Sequence, residues 1–535
     1  MSLKRAALWA APLLFVVALF YMPLGKIVQL GVSTNWLNVY GDPAVAASIW
    51  FTIWQAALST VLCLVLGTLG AYVLYRKNFV GQKIIRAIVT VPLVLPTIVV
   101  AIVFSAFRAE HKIYESVGLD FFFDNSVYWI IAAHVFINFS LVVRAVGGAW
   151  AGLTNQTEEA AELAGAGRVR IFFAITLPQI KGAVVSAAAL VFLFCSTSFG
   201  IVLILGGGMV TSIETEIASA ALQFLELDKA AALALLQTLL TVAAFAIAES
   251  IAKAPVGIEQ IDSGDWAPRL DRRDRPAIVI SAIVVVALIC VPLLLVFAKA
   301  FTVNGTFGFD NFANLAGRGS RDLLNISVLQ ATLNTFRNAA ISATLALGFG
   351  ALVSFLLSRR PRTRAAAALQ RVMDFAYLLP VGISSVVLGL GYLVTFGANW
   401  ITVPLVQSLM ALPLVIRLLY PALATIDAEQ REAAALAGAN TRQIFMRVET
   451  GIIRNVVVTA IGFSMITSIG EFGAASLLAY GDQATLPTVL YVLISRPGDQ
   501  NFGMAMAVCA ILIALTFALV FSVAAQKPRR RHSGV

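Results

Sequence analysis

The sequence predicts an all-α protein that crosses a membrane many times, and three observations support this prediction. The mean hydropathy is +0.88. Of the 535 residues, 59% are hydrophobic and only 12% are charged, whereas a soluble domain needs roughly a quarter of its residues charged. The apolar residues form stretches long enough to cross a bilayer core of roughly 30 Å as helices, and two long parts of the chain resemble each other. We therefore predict a polytopic helical protein made by tandem duplication.

Apolar stretches of about 20 residues or more predict about twelve membrane-spanning helices. They lie at 6–31, 47–75, 84–107, 126–152, 182–206, 229–252, 276–301, 331–357, 373–397, 401–422, 455–479 and 503–525. We expect the first stretch to be retained, because it is long for a secretory signal and lacks a convincing cleavage site. Pro92, Pro96 and Pro380 predict kinks or helix ends in the third and ninth helices.

The distribution of basic residues predicts the orientation in the membrane. Loops rich in Lys and Arg stay cytoplasmic, and one set of loops holds most of them: Lys4, Arg5, Arg76, Lys77, Lys83, Arg86, Lys253, Arg269, Arg272, Arg273, Arg275, Arg359, Arg360, Arg362, Arg364, Arg371, Lys527, Arg529, Arg530 and Arg531. The opposite set holds only Arg108, Lys112, Arg318, Arg321 and Arg496. Both termini are therefore expected on the cytoplasmic side of the membrane. The net charge of +10 thus reflects topology and does not indicate nucleic-acid binding.

The chain lacks the motifs of enzymes and metal sites. The only Gly-Lys pair is Gly25-Lys26, so there is no GxxxxGK[ST] phosphate loop. Its three histidines are scattered. The four cysteines, Cys63, Cys195, Cys290 and Cys509, lie in apolar runs without close partners, which predicts neither a disulfide framework nor a zinc site. We expect no catalysis by this chain, no bound cofactor and no metal.

The two halves of the chain align in two registers. One register pairs Arg144 with Arg417, Glu159 with Glu432, Gly165 with Gly438 and Phe172 with Phe445, and the other pairs Gly67 with Gly350 and Arg76 with Arg359. We predict a first six-helix repeat at 1–252, a cytoplasmic linker at 253–275, a second repeat at 276–526 and a basic tail at 527–535. Because six is even, both repeats cross the membrane in the same sense, unlike the inverted repeats of many secondary transporters.

Each repeat carries one charged, small-residue segment, which we call the first loop (154–180) and the second loop (427–453). In the first loop, Thr154 or Thr157 is expected to cap a helix with Glu158 and Glu159 in its first turn, where carboxylates stabilise the positive end of the dipole. Gly165 and Gly438 are expected to end these helices in the left-handed conformation. A second short amphipathic helix is expected to follow each glycine.

These residues resemble the EAA loop of importer-type ABC permeases, the binding-protein-dependent family. The first loop has the full pattern, and the second departs at its end, with Val448, Thr450 and Gly451 in the last three positions. The matching positions are Glu159, Ala160, Ala161, Gly165, Ile175, Leu177 and Pro178 in the first loop and Glu432, Ala433, Ala434 and Gly438 in the second. The duplicated form resembles the fused permeases of ferric-iron and thiamine importers, through AHVFIN, LGGG and SIGEFGA at 133–138, 205–208 and 468–474.

The resemblance implies a transmembrane permease in the plasma (inner) membrane of a bacterium, where it forms the translocation pathway of an ATP-driven importer. Two separate ATP-binding subunits would dock on the two loops, and an extracytoplasmic solute-binding protein would dock on outer loops that include 207–228 and 480–502. One fused permease chain is expected per transporter. The cargo would be ferric iron or a thiamine-like solute, with phosphonate and polyamines as alternatives. A secondary transporter or channel driven by an ion gradient is the alternative function.

Five further residues are candidates for supporting roles. Arg144 and Arg417 are expected where each fourth helix meets the cytoplasm, where they either snorkel to headgroups or brace the loops. Glu471 is expected deep in the eleventh helix, and ionisable groups at such depth usually face a cavity or a partner. Its counterpart in the first repeat is Ser198. Glu471 and Ser198 either line the translocation path or have a structural or outer-rim role. Asn138 either lines the same path or helps to pack neighbouring helices.

Overall fold

The computed structural model describes residues 3–34, 36–110, 125–154, 156–251, 268–303, 305–358, 379–424, 436–440 and 450–525, with single positions at 364, 368, 370, 372, 373, 376, 377 and 443. Helices make up nearly all of this described part. Its strands are two residues long each, Thr302–Val303 and Thr306–Phe307, and they pair as an antiparallel hairpin. The all-α prediction is confirmed.

Nine helices in the described residues are long and apolar enough to cross a bilayer. They are Trp9–Ser33, Pro43–Tyr75, Ser126–Ala151, Arg168–Ser196, Leu227–Ile247, Arg272–Ala300, Val328–Leu357, Thr402–Ala424 and Asp499–Ala518. Shorter apolar helices lie at Ser385–Phe396, Ile453–Ile469 and Leu486–Ser495. This composition confirms a multi-pass membrane protein, and the number of twelve spans remains a prediction.

The predicted third span is two helices, Gln82–Val94 and Thr97–Arg108, bent by 104° at the break. Pro96 is the residue before the second helix, and Leu95 before it is extended, with φ −69° and ψ 139°. A proline disfavours the helical conformation of the residue preceding it, so the break follows from the sequence. Pro92 lies inside the first of the two helices, and Pro380 lies in a 3₁₀ turn, Leu379–Gly382.

Two other predicted spans are also interrupted. The predicted helix at 182–206 begins earlier, at Arg168, ends at Ser196 and is followed by a separate helix, Phe199–Gly206. The predicted helix at 455–479 is Thr450–Ile469 followed by Gly473–Leu478. Ser198 and Glu471, which are paired by the repeat, lie at these two breaks.

Three spans contain a short π-helical segment before a proline. The segments are Val17–Tyr21, Phe172–Thr176 and Val284–Cys290, and each contains the residue four positions before Pro23, Pro178 or Pro292, respectively. In a regular α-helix the carbonyl of that residue would accept the N–H of the residue four positions later. A proline at that position has no N–H to donate, and its ring crowds the carbonyl. A wider turn relieves the crowding and lets the helix continue, so these helices span the membrane despite their prolines.

Internal contacts divide the chain into two compact units, each of which draws on both sequence repeats. The first-loop unit comprises Pro43–Ser212, Leu240–Asn314 and Leu493–Val535, and the second-loop unit comprises Met1–Asp42, Ile213–Leu239 and Leu315–Val492. The compact units therefore differ in their bounds from the predicted sequence repeats. The boundaries of the repeats remain a prediction.

The first-loop unit contains most of the broken and bent helices. Its described elements are Pro43–Tyr75, Gln82–Val94, Thr97–Arg108, Ser126–Ala151, Gln156–Leu163, Arg168–Ile171, Phe172–Thr176, Leu177–Ser196, Phe199–Gly206, Arg272–Asp274, Arg275–Ile283, Val284–Cys290, Val291–Ala300, the hairpin, Asp310–Ala313 and Asp499–Ala525. In the second-loop unit they are Leu3–Val16, Val17–Tyr21, Met22–Ser33, Trp36–Tyr40, Ile213–Leu222, Ser320–Asp322, Val328–Leu357, Leu379–Gly382, Ser385–Phe396, Thr402–Ala424, Thr450–Ile469, Gly473–Leu478 and Gly481–Gln483. Leu227–Ile251 and Leu486–Ser495 each contribute to both units, as their bounds show.

The same glycine contact packs two helices in each unit. A Cβ atom on Gly67 would lie 2.6 Å from Cβ of Val142, and one on Gly350 would lie 2.6 Å from Cγ1 of Val415. Both glycines are buried in long helices, and both valines lie in the helix that packs against them. Close backbone approach at small residues is the usual way in which membrane helices associate, so the sequence repeat is also a repeat of packing.

Candidate functional site

The first loop begins with a short helix, Gln156–Leu163, that carries Glu158 and Glu159 in its first turn. Of the two predicted capping residues, Thr157 lies within this helix, and capping by Thr154 remains a prediction. The helix ends as predicted, because Gly165 has φ +83°. The N–H groups of Gly165 and Ala166 donate to the carbonyls of Glu162 and Ala161, both at 2.9 Å. This pair of bonds is a Schellman motif, which satisfies carbonyls at the helix end.

The predicted second short helix is instead the start of a membrane-spanning helix. One helix runs from Arg168 to Ser196 and includes the π-helical segment Phe172–Thr176. Ile171 is buried in it. Ile175, Leu177 and Pro178 therefore belong to a continuous helix, and the proline is accommodated by the wider turn. A displacement of the loop after Gly165 is consequently a displacement of the end of a span.

The solvent-exposed surface of the first loop combines apolar and small side chains with charged ones. Glu159 and Ala160 are exposed, and Leu163 and Val169 are 90% and 73% exposed. Next to them, Gly167, Arg168, Val169, Arg170, Phe173 and Ala174 line a shallow, open depression. Apolar side chains that are exposed together on a polar segment are typical of a surface that binds another protein.

The inner side of the first loop is held by Glu158. Its Oε2 lies 2.5 Å from Nη2 of Arg76, and its Oε1 accepts a hydrogen bond of 2.6 Å from the hydroxyl of Thr176. Arg76 also donates from Nη1 to the carbonyl of Leu153 at 3.1 Å. Because Arg76 directly follows helix Pro43–Tyr75, this network ties the short helix to two membrane helices.

Sequence reasoning did not assign these contacts. The sequence predicts Glu158 as a helix-start carboxylate, and it predicts Arg76 as a basic residue that sets topology and matches Arg359 in the repeat. The signal in the sequence that could have found this contact is the opposite charge of the two residues. A partly buried carboxylate needs an oppositely charged or hydrogen-bonding partner, and basic residues lie on both sides of the loop. Sequence spacing does not reveal which of several arginines supplies that partner.

The predicted bracing arginines make no such contact in the described part of the chain. Arg144 is partly buried in helix Ser126–Ala151 and has no hydrogen bond or ion pair to the described residues of the first loop. Arg417 is exposed on helix Thr402–Ala424. Bracing by these two residues remains a prediction, whereas Arg76 makes the contact in the first loop.

The described part of the second loop shows the same glycine geometry. Gly438 has φ +85° and Leu436, the counterpart of Leu163, is 90% exposed. Glu432, Ala433 and Ala434 lie outside the described residues. The predicted left-handed cap is therefore confirmed at both glycines, and an exposed leucine precedes each of them by two positions.

Three candidate pathway residues lie in structural contacts. Glu471 is buried and accepts hydrogen bonds from the N–H groups of Ala474 and Ala475, at 2.8 and 3.1 Å, so it caps helix Gly473–Leu478. Asn138 is buried and donates to the carbonyl of His134 at 3.0 Å and to the sulfur of Cys195 at 3.5 Å. Ser198 is buried at the other break, and its hydroxyl has no partner among the described residues. These contacts give Glu471 a capping role; a place on the pathway remains a prediction for all three.

Metal-binding geometry is absent from the residues that the structure describes. No group of three or more His, Cys, Asp or Glu side chains is arranged to hold a metal ion in that part of the chain. His134 is buried, and its Nδ1 lies 3.2 Å from the hydroxyl of Ser59. This contact lies within the helix packing of the first-loop unit.

Comparison with known proteins agrees with the duplication of the sequence. A family model described as the binding-protein-dependent transport system inner membrane component matches the chain twice, at residues 63–302 and 326–532. The chain is 26% identical over 510 residues to the thiamine transport system permease protein ThiP of Escherichia coli (strain K12), covering 93% of this chain and 91% of that protein. The ThiP protein of Haemophilus influenzae is 25% identical over 532 residues, which covers 95% and 94% of the two chains.

A shorter relative matches about one repeat. The sulfate transport system permease protein CysT of Escherichia coli (strain K12) is 28% identical over 233 residues, which are 43% of this chain and 84% of that protein. The resemblance found in the sequence is thus confirmed, including the fused, two-copy form. The chain belongs to the family of binding-protein-dependent transport system inner membrane components, as a duplicated ABC importer permease.

Proposed function

We propose that this chain is the complete membrane pathway of an ATP-driven importer and that its two loops each receive one separate ATPase subunit. The observation that carries the proposal is the repeated surface of an exposed leucine followed by a left-handed glycine, Leu163 with Gly165 and Leu436 with Gly438. A large apolar side chain left in water is unfavourable, and its repetition at equivalent positions is best explained by two equivalent partners.

ATP hydrolysis is assigned to the partner subunits, because the chain has no phosphate loop. Closure of those subunits on ATP would displace both loops as rigid elements. In the first loop, the continuous helix from Arg168 to Ser196 carries such a displacement into the membrane. ATP binding would thereby shift the population from an inward-facing to an outward-facing state, because the two states differ in their affinity for the closed ATPase pair.

The proposed orientation places both termini and both loops in the cytoplasm, which agrees with the distribution of basic residues. A solute-binding protein would dock on the opposite face, on loops that include 207–228 and 480–502. The cargo that we propose is a thiamine-like cation, because the relatives that match most of this chain are named thiamine transport system permease proteins. Ferric iron, phosphonate and polyamines are the competing cargos.

The docking proposal is tested by co-purification. The chain is expressed with its ATPase subunit, and Leu163→Glu and Leu436→Glu are compared with Val80→Glu, a fully exposed valine outside both loops. We expect each loop variant to weaken ATPase retention at least about tenfold, since burying an unpaired carboxylate in an interface is costly. Thermal unfolding of the isolated chain should be unchanged, because these side chains are exposed.

Retention of the ATPase by both loop variants at the level of the Val80→Glu control would contradict docking. Uptake driven by an ion gradient without ATP, in vesicles containing the purified chain, would support a secondary transporter. The cargo is tested separately by competition: unlabelled thiamine, ferric iron, phosphonate or spermidine is added to uptake of labelled thiamine through the assembled transporter. Failure of labelled thiamine to enter would exclude it as the cargo without affecting the docking result.

A further inference from the structure

A second network holds the first loop from its other side, around the carboxylate of Asp274. This side chain has no solvent exposure. Its Oδ2 lies 2.9 Å from Nζ of Lys77 and accepts a hydrogen bond of 2.9 Å from the backbone N–H of Asp271. Its Oδ1 accepts from Nη1 of Arg168 and from the hydroxyl of Tyr72, both at 2.8 Å. Four donors therefore converge on one buried carboxylate.

The network joins three separate parts of the first-loop unit. Tyr72 and Lys77 belong to the end of helix Pro43–Tyr75 and the turn after it. Arg168 is the first residue of the span that continues the first loop, and Asp274 directly precedes helix Arg275–Ile283. Asp274 therefore lies where the segment that connects the two repeats enters the next span.

The backbone adds a further contact between the same segments. The N–H of Asn78 donates to the carbonyl of Pro268 at 3.0 Å, and Asn78 forms an isolated parallel bridge with Arg269. We call residues 268–274 the linker end. It is fixed along the turn after helix Pro43–Tyr75 by main-chain bonds and by Asp274, so it is an ordered part of this unit.

The placement of Arg168 depends on this carboxylate. A cation at the first position of a helix is unfavourable, because the helix dipole is positive there. The only other carboxylate paired with Arg168 in the described residues is that of Glu162, at 3.9 Å with both side chains about half exposed, and such a pair contributes little. Asp274 is buried and bonded at 2.8 Å, so it is the contact that fixes the guanidinium.

We propose that Asp274 is a positioning residue and that, through Arg168, it makes the linker end part of the coupling machinery of the first loop. The role of Asp274 in transport rests on the proposed function, whereas the contact between Asp274 and Arg168 is independent of that function. The first loop would then move together with helix Pro43–Tyr75 and with the span Arg272–Ala300. A fused chain gains by this arrangement, because the connection between its repeats also holds one of its two ATPase-docking loops.

The sequence does not repeat two of the residues of this network around the second loop. In the repeat register the counterpart of Arg168 is Thr441, and that of Tyr72 is Phe355. Neither counterpart can donate a charged or phenolic hydrogen bond to a carboxylate. The two docking loops are thus expected to differ in how firmly they are held, the first more than the second.

The test uses Arg168→Gln and Tyr72→Phe in the full chain, purified in lipid nanodiscs. Arg168→Gln leaves Asp274 bonded to Lys77, Tyr72 and Asp271, and Tyr72→Phe removes only one hydroxyl from a side chain that does not line the docking surface. Asp274→Asn is included, although it leaves the buried Lys77 without its carboxylate and risks misfolding. Arg273→Gln is the matched control, an exposed arginine in the same turn as Asp274.

The first measurement is amide hydrogen exchange of residues 156–171 without any partner protein. We expect exchange about tenfold faster in Arg168→Gln, and faster by a smaller factor in Tyr72→Phe, because a charge-assisted hydrogen bond is stronger than a neutral one. The control should match the wild type. Exchange within about twofold of the wild type in both variants would overturn the proposal, whether or not the chain transports a solute.

The second measurement is the number of solute molecules imported per ATP hydrolysed in vesicles that hold the assembled transporter. We expect the ratio to fall at least about threefold in Arg168→Gln and in the same direction in Tyr72→Phe. A variant that merely folds less well would lower uptake and hydrolysis in parallel and leave the ratio unchanged. Faster exchange with an unchanged ratio would overturn the coupling role. If the wild type shows no ATP-dependent uptake, the proposed function fails, and the exchange measurement still decides whether Asp274 holds the loop.

Discussion

Nη2 of Arg76 lies 2.5 Å from Oε2 of Glu158, and these side chains are only 11% and 23% exposed. The pair joins the end of helix Pro43–Tyr75 to the first turn of the helix that carries Glu159. Adjacent glutamates in the same turn therefore have different environments: Glu158 faces the membrane helices and Glu159 faces solvent. The first loop can present a fixed surface because one of the two carboxylates in its first turn is bonded to the neighbouring helices.

Glu158→Gln should lower the stability of the chain. The substitution removes the charge that Arg76 is paired with and leaves a partly buried guanidinium with the Leu153 carbonyl, at an expected cost of about 1–2 kcal/mol. Thermal unfolding in detergent measures this loss. Glu159→Gln is the matched control, since Glu159 is exposed, and it should leave the unfolding temperature unchanged. Equal unfolding temperatures for the two variants would contradict the bracing role of Glu158.

Gly165→Val should strain the first loop without a steric clash. A Cβ on Gly165 would meet nothing within 4 Å, but its φ of +83° is unfavourable for a β-branched residue, with a cost of about 1–2 kcal/mol. Since the glycine ends the helix that we propose as the ATPase-docking helix, we expect ATP hydrolysis to be uncoupled from import in the assembled transporter.

Gly167→Val is the control for that experiment. Gly167 also has open space around its Cβ position, but its φ is −69°, a conformation that any residue adopts. It should preserve more of the coupling than Gly165→Val does. If both variants import at the wild-type rate per ATP hydrolysed, the left-handed turn is not needed for coupling.

Gly67→Ala and Gly350→Ala should each destabilise the helix pair in their own unit. The added methyl group would lie 2.6 Å from an atom of Val142 or Val415, and overpacking of this kind costs about 1–3 kcal/mol. Gly348→Ala, in the same helix as Gly350 but with nothing within 4 Å, should be neutral or slightly stabilising because alanine favours helix more than glycine does. Unfolding temperatures of the three variants in one detergent provide the comparison.

Glu471 offers a test between capping and cargo contact. Its carboxylate accepts two backbone N–H groups of helix Gly473–Leu478, so Glu471→Ala should cost about 1–3 kcal/mol by leaving those buried donors without an acceptor. Glu471→Gln retains one carbonyl oxygen and should lose less stability than the alanine variant. If Glu471→Gln has wild-type stability but loses uptake of a cationic solute, the residue contacts the cargo.

Much of the architecture could be predicted from the sequence because it depends on local chemistry. The apolar stretches predicted membrane spans, the repeat predicted a duplicated family match, and the spacing around Gly165 and Gly438 predicted left-handed helix ends. The break at Leu95–Pro96 followed from proline geometry. The predictions that failed concerned continuity. The helix after Gly165 runs directly into a span, because a π-helical turn allows Pro178 to remain inside it, and periodicity does not reveal such a turn.

The sequence by itself determined that this chain is a duplicated helical permease and where its two charged, small-residue loops lie, because hydropathy, charge asymmetry and glycine conformation are properties of short segments. Only the tertiary structure decided which residues hold the first loop. Arg76 meets Glu158, and Asp274 meets Arg168, across more than 80 and 100 positions of the chain, respectively. Such pairs form because a buried charge must find an opposite charge or a hydrogen-bond donor, and the folded arrangement of the helices determines which one is within reach.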